Sequence, residues 1–218
     1  MSKRFRHTAR GLAVAFLVGL SCALPLAAQS IDGHECYGED NERRLKACSE
    51  LIEMPGVSPE NQSGAFAMRA LSYSLKGNYD QAIRDYDQAI RIVPDFAVAL
   101  NNRAWAYFKS GRPEMGIVDV EKSLALDPSS AHTYDTRAHI KQWGGRPSAA
   151  LADYERAMAF GGPRMIKLYQ CGLAAAGLYK GPADGLTSYE LQRAMEACVQ
   201  GTTCDPLPPD EECKAATS

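Results

Sequence analysis

The chain has 218 residues, 45% of them hydrophobic and 23% charged, with 24 basic against 26 acidic side chains and a net charge of -2. These proportions are those of ordinary globular material, enough for one domain or two small ones. A chain with more acid than base is a poor match for nucleic acid or for anionic lipid, both of which select basic surfaces.

The first residues read as a secretory signal peptide. Lys3, Arg4, Arg6 and Arg10 form a basic start, Gly11 to Leu26 an apolar run, and Ala27-Ala28-Gln29 a small-residue end, so cleavage is expected after Ala28. A retained anchor is the competing reading. The run holds Gly19, Ser21 and Pro25 and is short for a span of roughly 20 residues. Lipidation at Cys22 is disfavoured, because Gly19 stands where a branched apolar residue is expected. Loss of residues 1–28 removes four basic residues and no acidic one, leaving 20 against 26 and a net charge of -6. It also removes Cys22, leaving six cysteines, Cys36, Cys48, Cys171, Cys198, Cys204 and Cys213. An exported chain with an even cysteine count reads as disulfide-stapled. Zinc is the alternative, but there is no CxxC pair and only His34 lies near a cysteine. The expected location is periplasmic or secreted, with no integral span after cleavage and no metal or cofactor.

Residues 29–62 form a leading segment. Leu45, Cys48, Leu51 and Ile52 have helical spacing between a cap at Asp40 or Asn41 and a stop at Pro55-Gly56. Cys48 stands one repeat period before Ala82, a period set by the units described next, so this helix reads as the second half of an incomplete unit. A Cys36–Cys48 bridge would tie down the loop before it. Val57 to Ser63 reads as a loop.

Residues 63–162 repeat one pattern three times. Arg69-Ala70, Arg103-Ala104 and Arg137-Ala138 recur at one fixed interval, and Gly77, Gly111 and Gly145 recur at the same interval. Such a period signals stacked units, each burying its apolar face against its neighbours. The units run approximately 63–96, 97–130 and 131–164, each a pair of helices. Pro113 and Pro147 sit just inside their helix starts, where a missing N–H carries no penalty.

The series Ala70, Tyr73, Gly77, Ala82, Tyr86, Ala89 and Pro94, with its equivalents one and two periods on, resembles the tetratricopeptide repeat (TPR) family. The resemblance implies an all-α array of helical hairpins: three repeats, a leading partial helix and a small disulfide-stapled helical tail. Gly116, Ser123 and Val120 depart from the pattern, so the second unit's second helix is expected to be the loosest. Lys141 stands where Tyr73 and Tyr107 do.

Arg69, Arg103 and Arg137 each precede an acid by one constant spacing, at Asp85, Asp119 and Asp153. Antiparallel helices bring those levels together, so an ion pair within each unit is expected. A basic stripe for an anionic ligand is the weaker reading, because the acid recurs with the base. By family register, the concave face holds Asn101, Asn102, Trp105, Phe108 and Lys109, then His132, Asp135, His139, Gln142 and Trp143. The first unit supplies Gly64, Ala67, Leu71 and Ser74. Trp105 and Trp143 suit peptide anchors or packing residues alike. Lys109 and Asn102 hint at a carboxylate clamp for which the first unit offers no partner. Asp135 and His139, four apart, suit a catalytic base and its orienter, but an Asp–His pair at this spacing is usually surface support. No nucleophile elbow, phosphate loop or metal cluster accompanies them, so no enzyme is expected.

In residues 163–218, Met165 to Leu178 and Tyr189 to Val199 read as helices. The string Gln170, Leu173, Gly177, Tyr179, Gly181, Asp184, Gly185 and Ala194 resembles a small peptidoglycan-binding-like module of bacterial envelope proteins. That resemblance implies helices packed together, with a Cys171–Cys198 bridge between them and Cys204–Cys213 closing the Pro-rich end. Thr187-Ser188, Leu191 and Cys198 depart from the motif. Met165 to Leu178 can also cap the array, making repeats and tail one body. The expected function is a non-enzymatic interaction protein holding a protein or peptide segment in the concave groove. The alternative is a cell-wall protein that binds peptidoglycan through the tail.

Overall fold

The computed structural model describes residues 33–201 and 204–206, and all secondary structure there is helical. The expected signal peptide, Cys22 and Cys213 lie outside the described residues. The elements are α1 (Gly33–Cys36), α2 (Asn41–Glu53), α3 (Pro59–Leu75), α4 (Tyr79–Ile92), α5 (Ala97–Lys109), a 3-10 turn (Pro113–Gly116), α6 (Ile117–Leu126), α7 (Ala131–Trp143), α8 (Pro147–Ala175) and α9 (Tyr189–Cys198). Among the described residues, no helix is long and apolar enough to cross a membrane.

The start of α3 falls at Pro59, ahead of the expected Ser63. Ser58 accepts a hydrogen bond from the Asn61 N–H, and Pro59 occupies the first helical position. That pair is a helix start with a physical cause, since the cap satisfies one orphan donor and the proline has none to lose. α2 starts the same way, with Asp40 accepting from the Arg43 N–H. Each first helix then ends alike. The Asn78, Arg112 and Arg146 N–H groups reach back to the Tyr73, Tyr107 and Lys141 carbonyls at 2.8, 2.9 and 2.9 Å, closing three equivalent caps.

Between paired helices the contact residues are small. Ala70, Ala82, Ala89 and Ala99 are fully buried, with Tyr86 filling the space beside them. The departures in the second unit meet local partners. A Cβ on Gly116 would stand 2.9 Å from the Ala104 Cα, so glycine there permits a closer approach of the two backbones than alanine would. Ser123 is buried, and its hydroxyl donates to the Ala97 carbonyl at 2.9 Å. In the first unit the same two positions exchange roles: the Ser63 hydroxyl donates to the Ala89 carbonyl at 2.9 Å. Gly116 and Ser123 are thus each matched by a partner one helix away, while the second helix of this unit opens with the 3-10 turn before α6.

α8 is two helical legs broken at Gly162, whose φ of 61 and ψ of -154 lie outside the helical region and suit a residue without a Cβ. Pro163 then opens the second leg. The bend folds that leg and α9 onto the third unit. One core contains Ala138, Tyr154, Met158, Tyr169, Leu173, Leu191, Met195 and Val199. Burying a side chain such as Leu173 or Leu191 contributes about 1.5–3 kcal/mol relative to leaving it in water, so tail and array share their stabilisation.

Cys36 and Cys48 are bonded across 12 residues. The tail pairing differs from expectation. Cys198 bonds Cys204, only six residues on, so neither the Cys171–Cys198 nor the Cys204–Cys213 pairing forms. The chain turns sharply after α9, with the Gly201 N–H donating to the Cys198 carbonyl, and this turn presents Cys204 to Cys198. Cys171 is itself disulfide-bonded.

Candidate functional site: the concave face and its own tail

Three arginines hold the units in register. Arg69 grips Asp85 through Nε and Nη2 at 2.7 and 2.8 Å. Arg103 grips Asp119 at 2.7 Å twice, and Arg137 grips Asp153 at 2.8 Å twice. The third guanidinium nitrogen reaches the preceding unit: Arg103 Nη1 lies 2.7 Å from Asp87, Arg137 Nη1 2.9 Å from Glu121, and Arg69 Nη1 3.1 Å from the Ser49 hydroxyl on α2. Each arginine is thus a clamp both within a unit and between units. The second acid is also present in the sequence pattern, since Asp87 and Glu121 precede Arg103 and Arg137 by the same spacing that separates each arginine from its own aspartate. These pairs occupy all three guanidiniums, leaving no basic stripe for an anion.

The third clamp is the most buried. Asp153 is 1% exposed and also accepts from Lys141 Nζ at 2.6 Å. Burial pushes its carboxyl up, but Arg137 and Lys141 outweigh that and hold it below the usual range. Lys141, which breaks the tyrosine series, therefore has a partner.

The residues placed on the concave face by family register do not share one environment. In the second unit, Trp105 is partly exposed, stacks on Phe108 at 5.2 Å between ring centres, and carries the Lys109 ammonium 5.4 Å over its face. Asn102 accepts from the buried Asn101 amide at 3.2 Å. His132 is exposed, and Trp143 is 53% exposed. At the first unit, Tyr37 from the leading segment lies against Gly64; a Cβ there would meet its hydroxyl at 2.5 Å.

Asp135 and His139 are each only 4% exposed, so they are not surface support. They lie beneath the tail. His139 Nδ1 is 2.9 Å from the Asp135 carbonyl oxygen and 3.5 Å from its Oδ2, while Nε2 is 2.9 Å from Asp205 Oδ1. Burial pulls the imidazole pKa down, but the two carboxylates prevail and raise it to about 9. Burial raises the Asp135 carboxyl, opposed by His139 and by the Tyr169 hydroxyl, which donates to Asp135 Oδ1 at 2.6 Å. The imidazole stands edge-on to Trp105 and Tyr154 at 5.2 and 5.3 Å. It is a buried cation between two acids, with no open side from which to act as a base.

Gln142 completes the arrangement. Its Oε1 accepts from Tyr154 OH at 2.8 Å. Its amide nitrogen lies within hydrogen-bond reach of three tail carbonyls, those of Cys198, Gly201 and Cys204. Gln142 falls in the concave register, but nothing in the repeat pattern says what will face it.

Residues 70–111 match the family model described as TPR repeat, and residues 97–130 match the one described as tetratricopeptide repeat. The array carries tetratricopeptide repeats. A search of curated proteins finds no match to the chain. TPR repeats imply protein partners, and repeats of this kind generally serve interaction rather than catalysis. Among the described residues no group of three or more His, Cys, Asp or Glu side chains is placed to hold a metal ion.

Beyond the TPR units, the motif residues of the tail are occupied with each other. Gln170 is buried, accepts from the Gly185 N–H at 2.9 Å, and donates toward Asp184 Oδ1 and the Leu186 carbonyl, both at 2.9 Å. Tyr179 OH donates to the Pro182 carbonyl at 3.1 Å. These contacts build the loop between α8 and α9. A cleft of 380 Å³ opens between those two helices, lined by Leu151, Met158, Leu191 and Met195 with Glu155 and Gln192 among its polar groups.

Proposed function

We propose that this is an exported, non-enzymatic scaffold protein that binds a peptide or protein segment on the concave face of its first two TPR units, centred on Trp105. The observation that carries the reading is the state of Trp105: a large amphipathic ring, partly exposed, braced from behind by Phe108 and topped by Lys109. Rigid aromatic anchors of this kind supply contact area at low entropic cost. Exposed Val98 and Leu75 extend the apolar surface on the same first helices of their units. Lys109 and Asn102 add a cation and an amide, so the segment bound carries an acidic or carbonyl-rich stretch beside an apolar one. Export is supported by the basic and apolar start of the sequence and by cysteines paired as disulfides.

The test is selection from a displayed random-peptide library against the whole chain, followed by titration of the enriched peptides. Trp105→Ala is expected to weaken them at least tenfold, while Leu186→Ala, an exposed residue in the tail, leaves them unchanged. Equal binding to both variants would overturn the reading.

A further inference from the structure

The third unit's concave face is occupied by the chain itself, and the occupant is closed by a disulfide. Three carbonyls converge on one amide nitrogen only because the chain doubles back between them. The disulfide joins the first and last of these residues, Cys198 and Cys204, and so ties the two outer carbonyls to one another. Asp205, the next residue, then reaches His139. A pre-organised group binds better because less freedom is lost on docking. We propose that the Cys198–Cys204 disulfide is a redox latch that holds the tail as an internal ligand of the third TPR unit, and that its reduction uncovers Gln142 and His139 to a competing peptide.

Access favours this bond. Cys204 is partly exposed, whereas Cys36 and Cys48 are both fully buried. Exchange needs approach to a sulfur by a thiolate. A dithiol reductant attacks Cys204, forming a mixed disulfide and releasing Cys198 as a thiolate that takes a proton. The second thiol of the reductant then displaces Cys204, which also leaves as a thiolate and is protonated. Two electrons and two protons reach the protein, and the dithiol becomes a disulfide. The ring opens, the three carbonyls lose their common focus, and Asp205 is no longer held opposite His139. The released face presents an amide donor, the His139 imidazole and the edge of Trp105, which together suit a turn of peptide followed by a carboxylate. This latch stands whether or not the open face at Trp105 binds what is proposed above.

Two measurements test it on the whole chain. The first is graded reduction with dithiothreitol, with cysteines alkylated at each step and mapped by mass spectrometry. Cys198 and Cys204 are expected to be alkylated together, at least tenfold faster than Cys36 and Cys48, while protease resistance around residues 139–142 falls in the same range. Simultaneous reduction, or earlier reduction of Cys36–Cys48, would overturn the latch. The second is a titration of the synthetic oxidised peptide spanning residues 197–206. It is expected to bind the Cys198→Ser/Cys204→Ser variant at least tenfold tighter than the oxidised wild type, and to lose that gain when Gln142→Ala is added. Equal affinity for wild type and variant would overturn the proposal. If the double variant does not fold, the alkylation order decides alone.

Discussion

The first and third units share a register, yet their concave faces are finished in opposite ways. At the first unit the Ser74 hydroxyl and the Tyr86 hydroxyl are buried without a hydrogen-bond partner. Ser74 and Asn102 face the Tyr86 hydroxyl, but neither completes a bond to it, and burial raises the phenol's pKa well above its ordinary value. At the matching positions of the third unit, Tyr154 stands for Tyr86 and Gln142 for Ser74. There the hydroxyl donates to the amide, and the amide passes the network on to the tail. The longer side chain at a single repeat position converts a pair of unmatched polar groups into a docking site. Repeat identity therefore sets the backbone, and one departure from it sets what the surface can hold.

The largest effect is expected where the register clamp is most buried. Asp153→Asn removes the buried carboxylate opposite Arg137 and Lys141, leaving Arg137 only the more exposed Glu121, and is expected to cost about 3–5 kcal/mol in urea unfolding. The equivalent Asp85→Asn, at a more open pair, is expected to cost clearly less. Equal losses would show that the two clamps are not differently screened.

The next contrast is at the docking position. Gln142→Leu keeps the shape but strands the Tyr154 hydroxyl and the tail carbonyls, and is expected to cost about 1–3 kcal/mol. Ser74→Ala removes a hydroxyl that bonds nothing and is expected to change stability by less than about 0.5 kcal/mol. A large loss from Ser74→Ala would mean that its hydroxyl is satisfied after all.

A pH series sharpens the same comparison. The titratable groups facing His139 are Asp135, Asp205 and Tyr154, with Tyr169 behind them donating to Asp135. Because the folded pKa, about 9, lies above the ordinary 6.5, the contribution of His139 is complete below pH 6.5 and is lost as pH rises through 9. Thermal scans between pH 6.5 and 9.5 should show a steeper fall in Tm for wild type than for Asp205→Asn. Parallel curves would remove Asp205 from the cause.

The smallest effect belongs to the clamp between units on the open surface. Asp87→Asn breaks the contact to Arg103 Nη1 but leaves the Asp119 pair, and is expected to cost about 0.2–1 kcal/mol. A loss equal to that from Asp119→Asn would place the two acids on the same footing.

Much of the fold is legible in the sequence because a repeat states each rule three times. The caps at Gly77, Gly111 and Gly145 and the alanine seams at Ala70, Ala104 and Ala138 need only local spacing to be recognised. The start of α3 is not legible in this way, because Ser58-Pro59 reads equally as loop or as cap plus first helical turn, and tertiary burial of Ser63 and Ala65 selects the helix. The close backbone approach at Gly116 is not legible for a related reason. A missing Cβ weakens a helix alone, but strengthens a contact when another backbone lies against it.

Within the candidate site, the arginine clamps are half legible: the partner in the same unit follows from antiparallel pairing, while the acid one unit back needs the stacking of units to be known. The tail pairing is not legible, because the sequence cannot say which of two nearby sulfurs a cysteine meets after a turn. Asp135 and His139 are visible as a pair, but their burial depends on Asp205, which lies 66 residues beyond His139.

Sequence by itself determined the period, the helix pairs, the closing turns and the arginine–aspartate spacing, since these depend on interactions within one unit or between adjacent ones. Only the tertiary structure decided which part of the concave face is open. That outcome rests on a kink at Gly162 and a turn after Cys198, which return a distant segment to the third unit and commit Gln142 and His139 to the chain itself.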